Sequence, residues 1–197
     1  MRLWLSILLA GAACVLTSPA DAGVTVLLKT RTYAVSGETG ADLIGAMGRT
    51  GPMQGFMTRS VAQTTYAVDW NLVTQTAGRA CRIVQAEPTL RLTYTYPEAG
   101  DLTPALAKRW KVFLAGTRRH ERGHGRIAID MVADAAGKVA GMSLSDDPFC
   151  RRLRAAAHRR IDAIKAEYEL KQQAYDRKEH GPGGHVEKLV EALIAEP

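Results

Sequence analysis

The strongest constraint on the fold is a change in sequence character near Asp101. Before that residue, three segments are rich in β-branched and aromatic residues, and they span residues 24–35, 58–73 and 81–96. Such segments are typical of strands. Apolar residues alternate with polar ones from Leu90 to Tyr96, which indicates a strand with one face in water. We therefore expect a small antiparallel sheet in the N-terminal half.

After Asp101 the apolar residues recur at helical spacing. Thr103 and Pro104 form a typical N-cap and first helical residue, and helical composition continues to about Met142, with Gly116 as the place where this helix could break. A second start signal at Asp147 and Pro148 precedes a long amphipathic pattern that runs to Tyr175. Shorter helices are expected within residues 36–47 and 186–194. The predicted fold class is α+β, with two long helices against one face of the sheet.

The first 22 residues have the pattern of a secretory signal peptide. An arginine precedes an apolar run from Leu3 to about Leu16, and a small-x-small cleavage site ends at Ala22. Cys14 as a lipid acceptor is the weaker alternative. Residues 23–197 are then one domain, periplasmic or secreted, and no later apolar run approaches the ~20 residues of a transmembrane helix.

Two cysteines remain after this cleavage, and an oxidising compartment favours a disulfide between Cys81 and Cys150 over two buried free thiols. The formal net charge is +6, and much of the excess lies in arginine pairs at 118–119, 151–152 and 159–160. Such charges are usually a solvated helix face, and no aromatic interleaving accompanies them. The sequence therefore predicts no nucleic-acid partner.

The chemically specific motif is His120-Glu121-Arg122-Gly123-His124, inside the first long helix. Side chains four residues apart are neighbours on one helical face, so two imidazoles can share one zinc ion. Glu121 follows the first histidine and can take a proton from the water that such an ion activates, which is the chemistry of a metalloprotease. The alternatives are a solvent-facing histidine pair or a purely structural metal site.

The third ligand stays open on residue chemistry alone. Asp130 lies about 240° around the helix from His124 and faces away, and His158 lies among arginines off the apolar stripe. The remaining candidates are Asp146, Asp147, Glu167, Glu169 and His180. For His180, the alternative is a histidine that only satisfies the last carbonyls of its helix.

Scattered positions along nearly the whole mature chain carry a family resemblance. They are Tyr33, Val35, Gly37, Gly51-Pro52, Thr65, Trp70, Cys81, Trp110, Phe113, the histidine motif at 120–124, Tyr175-Asp176 and His180-Gly181. In these the chain resembles a bacterial family of predicted secreted zinc-dependent proteases, catalogued as domain of unknown function 922.

The resemblance implies an exported zinc hydrolase that acts on a peptide or protein substrate. It implies His120 and His124 as ligands, Glu121 as base, and His180 as the preferred third ligand. Tyr175 and Asp176 would support the site without binding the metal, although Tyr175 could equally be a core residue. A non-catalytic structural zinc protein and an envelope binding module are the alternative functions, and the sequence does not specify the oligomeric state.

Overall fold

The computed structural model describes residues 23–54 and 58–195, so the predicted signal peptide and Cys14 lie outside the described residues. The strands are β1 (Thr25–Val35), β2 (Met53–Gln54), β3 (Thr58–Arg59), β4 (Gln63–Ala77), β5 (Ala80–Ala99) and β6 (Ser143–Leu144). The helices are α1 (Gly40–Thr50), α2 (Pro104–Val139), α3 (Arg151–His180) and α4 (His185–Ile194). The α+β class is thus confirmed, with the main strands in the N-terminal half.

The main sheet is mixed, and the prediction of an antiparallel sheet was wrong. β5 is central: it pairs with β4 antiparallel, with β1 parallel, and with the short β6 antiparallel. β4 and β5 form a hairpin whose turn contains Gly78 at φ 60°, a backbone conformation that glycine adopts readily. Alternating apolar residues specify which face of a strand is buried but not its direction, so the reversal of the chain between β1 and β4 could not be read from the pattern.

Helix α2 is continuous over 36 residues, so the expected break near Gly116 is absent. Thr103 caps its N-terminus by accepting a hydrogen bond from the Leu106 amide, and Pro104 follows as predicted. A Cβ at Gly116 would overlap the side chain of Leu189 on α4. This glycine therefore permits a close helix contact and does not interrupt the helix.

Helix α3 begins at Arg151, a few residues after the Asp147-Pro148 signal. The Asp147 carboxylate still serves the helix start, because its Oδ2 accepts a hydrogen bond from the Leu153 amide at 2.8 Å. The predicted disulfide joins Cys81 on β5 to Cys150, with 5.4 Å between the two Cα atoms. It ties the start of α3 to the sheet.

The two long helices pack on one face of the sheet. The largest core cluster joins apolar residues of β5, such as Ile83 and Leu90, to Met131 and Val132 of α2 and Ile164 of α3. A second cluster joins α1, the first part of α2, and α4. In the described part of the chain, no helix combines the length and apolarity needed to span a bilayer.

Candidate metal centre

The middle of α2 turns two histidines and a glutamate towards the interior of the protein. His120 and Glu121 are each only 5% exposed, which is unusual for residues of this polarity. The His120 and His124 rings meet edge to face with centroids 4.8 Å apart. Their Nε2 atoms are 3.2 Å apart, so the predicted convergence of the two imidazoles is present.

Helix α3 brings a carboxylate and a third imidazole to the same point. Oδ1 of Asp176 lies 2.8 Å from Nε2 of His124 and 3.4 Å from Nε2 of His120. His180 follows one turn later, with its Nε2 atom 3.9 Å from the same carboxylate oxygen and its ring centroid 5.0 Å from that of His120. Possible ligand atoms of His120, Asp176 and His180 all lie within 4.8 Å of one another, and His124 adjoins them.

A glycine in the motif allows α3 to approach α2 this closely. A Cβ at Gly123 would overlap the hydroxyl and ring of Tyr175. In the space that the glycine leaves, the Tyr175 hydroxyl donates to the His120 carbonyl at 3.3 Å. The Tyr175 ring stacks on the His120 ring, with centroids 5.1 Å apart and planes 13° apart. Tyr175 therefore fixes the orientation of His120 and is part of the site.

The far nitrogens of both motif histidines face oxygen atoms of α3. Nδ1 of His124 donates to Oε1 of Gln172 at 2.5 Å, and the Gln172 amide donates back to the His124 carbonyl at 3.2 Å. Nδ1 of His120 is buried without a hydrogen-bond partner, and Oε2 of Glu179 lies 3.8 Å away. A proton on each Nδ1 leaves each Nε2 with a free electron pair that faces the cluster.

These donors fit a zinc ion. Zinc binds imidazole nitrogen and carboxylate oxygen at ~2.0–2.2 Å in a tetrahedral arrangement, which puts neighbouring donors about 3.3 Å apart. The 3.2 Å between the two Nε2 atoms and the 3.4 Å from Asp176 to His120 agree with that spacing. Two free electron pairs that face each other at this distance repel unless a proton or a cation lies between them.

Glu121 lies beside this cluster and is held by the sheet. The Thr64 hydroxyl on β4 is 2.6 Å from Oε2 of Glu121 and 3.0 Å from its carbonyl oxygen. Burial raises the pKa of the Glu121 carboxyl, and the Thr64 hydrogen bond and the nearby histidines offset part of that rise. A carboxylate with a raised pKa is a better proton acceptor near neutral pH than an exposed one.

The cluster opens into a cleft of about 740 Å³ between β4, α2, α3 and α4. Its floor includes His120, Glu121 and His124. Thr64 and Tyr66 of β4 contribute one wall, and α3 contributes another. A molecule in this cleft would therefore be in reach of the candidate metal ligands and of the candidate base.

Among the described residues, the other candidate ligands do not join the group of possible ligand atoms at His120, Asp176 and His180. Asp146 pairs with Arg79, and Asp147 binds the start of α3 near the disulfide. Glu169 accepts a hydrogen bond from Tyr66 in the cleft wall. Asp130, Glu167 and His158 are exposed.

Three residues of the site were not predicted from the sequence: Thr64, Gln172 and Glu179. Gln172 carried a signal, because residues 172, 176 and 180 are spaced by four and share one face of α3. Thr64 and Glu179 carried none, because their roles depend on how β4 and α3 pack against α2.

A family model matches most of the chain. It is described as a bacterial protein of unknown function (DUF922), and it covers residues 30–185, which include every residue of the cluster. No match was found among curated proteins or among solved structures. The chain therefore belongs to the bacterial protein family of unknown function DUF922.

Proposed function

We propose that this protein is an exported zinc-dependent metalloprotease that hydrolyses peptide bonds, with Glu121 as general base. The observation that carries the proposal is the 3.2 Å approach of the His120 and His124 Nε2 atoms, with the Glu121 carboxylate beside them in an open cleft. A buried polar cluster that opens to solvent on one side is the usual setting of catalysis.

His120, His124 and His180 would hold the ion. Imidazole nitrogens suit zinc, and three protein ligands leave one position for water or substrate. Gln172 and Tyr175 hold the two motif histidines in place through the contacts described above. His180 is the most exposed of the three, with 55% of its side chain accessible.

When bound, zinc would acidify a water molecule towards a pKa of ~7 and polarise the substrate carbonyl. Glu121 would accept the proton of the attacking water at the carboxylate oxygen that does not face Thr64, and would pass it to the leaving amine. Thr64 keeps the carboxylate in that orientation by its hydrogen bond to Oε2.

Asp176 favours a second candidate function, that of a structural zinc protein. Its Oδ1 atom is within 3.4 Å of both motif Nε2 atoms, so it could serve as a fourth protein ligand and exclude water. In the catalytic hypothesis Asp176 lies beside the ion without binding it. Burial raises the pKa of its carboxyl, but the contacts with His120 and His124 outweigh that effect and lower it. The catalytic and the structural hypotheses differ in whether the zinc ion would keep a water molecule as its fourth ligand.

The change Glu121→Gln tests the proposal. The amide keeps the size of the side chain but cannot accept the proton, so peptide hydrolysis should fall at least ~100-fold while one zinc per chain and the melting temperature are retained. Glu167→Gln is the matched control, because Glu167 is an exposed glutamate on α3 outside the cleft. Equal activity in the two variants would refute the role of Glu121.

Export is the remaining part of the proposal. It is supported by the signal-peptide pattern of residues 1–22 and by the disulfide between Cys81 and Cys150, a bond typical of oxidising compartments. N-terminal sequencing of the protein from the periplasm or medium should begin at Gly23.

A further inference from the structure

The two ends of the cleft differ in chemistry. Beyond His124 the lining is polar, with Tyr66 donating to Glu169 and Gln172 bonded to His124. In the opposite direction along α2, Phe113 precedes His120 by seven residues, which is about 10 Å along the helix axis. There the lining includes a set of apolar side chains that we name the apolar recess: Val61, Ala62, Phe113, Val186 and Val190.

The wall of the recess on α4 is firmly placed. Leu189 and Leu193 of α4 are buried in the second core cluster, and Val190 packs against that cluster. Val186 and Val190, one turn apart, also line the cleft. Two glycines allow α4 to approach closely: a Cβ at Gly116 would overlap Leu189, and a Cβ at Gly40 would overlap the backbone at Leu193. The shape of the recess is therefore built into the packing of α4.

Strand β4 offers an edge to an extended chain beside this recess. No strand in residues 23–54 or 58–195 pairs with the edge of β4 that faces away from β5. Gln63, Thr64 and Tyr66 at its beginning line the cleft. An extended peptide can bind such an edge through its backbone, and its side chains then point alternately to opposite sides. One of them can enter the recess next to Glu121.

Polar groups also lie near the recess. Gln54, Arg59 and Ser60 precede its Val61 wall in the chain and line the same cleft. The Arg59 guanidinium already donates to the Gly51 carbonyl. The five side chains that define the recess are all apolar, and the arginines of the cleft, Arg59 and Arg177, are not among them. An occupant of the recess itself is therefore expected to be apolar.

We propose that the apolar recess binds one large apolar side chain of an extended peptide, next to the bond that is cleaved, and that Val186 and Val190 determine this specificity. The inference rests on the proposed function for the identity of the bond, but the binding preference is a separate property. Transfer of a large aliphatic side chain from water to this recess lowers the free energy of the complex, whereas glycine and aspartate bring no such stabilisation.

Binding can be measured without turnover in the zinc-loaded Glu121→Gln protein. The probes are hexa-alanine peptides, acetylated and amidated at their ends, with one internal residue changed to leucine, glycine or aspartate at each position in turn. By calorimetry, the best leucine peptide should bind at least about tenfold more tightly than its glycine and aspartate counterparts. Val190→Trp and, independently, Val186→Trp should each fill the recess and abolish the leucine preference.

Val112→Trp is the control, because Val112 is 57% exposed on α2 and does not line the cleft. It should keep the preference, and zinc content and melting temperature report whether each variant folds. Any of four results would overturn the inference. Leucine and glycine peptides could bind equally, aspartate peptides could bind more tightly, no peptide could bind, or the leucine preference could survive both cleft substitutions. A leucine preference without peptide hydrolysis by the wild-type protein would refute only the proposed function. Peptide hydrolysis without a leucine preference would refute only the proposed role of the recess.

Discussion

The last part and the middle part of helix α2 bury different kinds of residue. Its last part, from Ala128 to Val139, buries small and aliphatic residues against the sheet and α3. Its middle part, from Thr117 to Gly125, buries a threonine, a histidine, a glutamate and two glycines. The first pattern stabilises the fold by apolar burial. The second buries polar groups at a cost, and it leaves one imidazole nitrogen without a partner.

This difference separates what holds the protein together from what it does. The disulfide and the main core lie at one end of α2 and α3, and the histidine cluster lies further along the same two helices. Substitutions at the first end should change stability and leave metal binding intact. Substitutions in the middle of α2 should impair metal binding, and they should also lower stability where they disturb a close helix contact, as at Gly123.

The largest effect is expected from His120→Ala. Loss of one of the two convergent imidazoles should abolish stoichiometric zinc binding and reduce hydrolysis to background, because the remaining donors no longer surround the ion. His158→Ala is the matched control, since His158 is an exposed histidine on α3. Metal analysis and peptide cleavage assays measure both. Retention of zinc by the His120 variant would remove it from the ligand set.

The second-largest effect is expected at the disulfide, which lies at the opposite end of α3 from the histidine cluster. The double change Cys81→Ala and Cys150→Ala removes a bridge between residues 69 apart, which should lower the free energy of unfolding by about 2–5 kcal/mol. Denaturant titration measures this change. Zinc stoichiometry at low denaturant should stay at its wild-type value, and its loss would show that the two ends are coupled.

A smaller effect is expected from Gly123→Ala. The new methyl group overlaps Tyr175 and must displace it from His120, so we expect a loss of about 1–3 kcal/mol in stability and weaker zinc binding. Gly137→Ala is the matched control in the same helix, because a Cβ there meets no atom within 4 Å. It should stabilise the protein by about 0.4–1 kcal/mol. Equal thermal shifts in the two variants would contradict the close contact.

The smallest effect concerns Thr64. Thr64→Val removes the hydroxyl that binds Oε2 of Glu121, and kcat should fall about tenfold with little change in KM or zinc content. Thr64→Ser restores a hydroxyl and should recover most of the activity. If serine and valine behave alike, the hydrogen bond does not position the base.

Much of this arrangement was predictable because it depends on local periodicity. Richness in β-branched and aromatic residues predicted the long strands, spacings of three and four predicted α2 and α3, and Thr103 with Pro104 predicted the start of α2. Spacing of four residues likewise brought His120 and His124 together. These are properties of neighbouring residues on one element, and they do not require knowledge of the tertiary structure.

What was not predictable depends on how elements meet. The direction of β1 relative to β5 follows from the path of the intervening chain and not from either strand's own pattern. Gly116 resembles a helix breaker in isolation, yet it serves the contact with Leu189. The register of α3 on α2, which Gly123 and Tyr175 set, decides that Asp176 contacts the motif histidines directly.

The central claim is that His120 and His124 jointly bind a zinc ion. Zinc K-edge X-ray absorption on the purified mature protein tests it most directly. We expect one zinc per chain, with imidazole nitrogens and one oxygen in a four-coordinate shell. A protein that binds no zinc, or a zinc whose shell holds no imidazole, would contradict it.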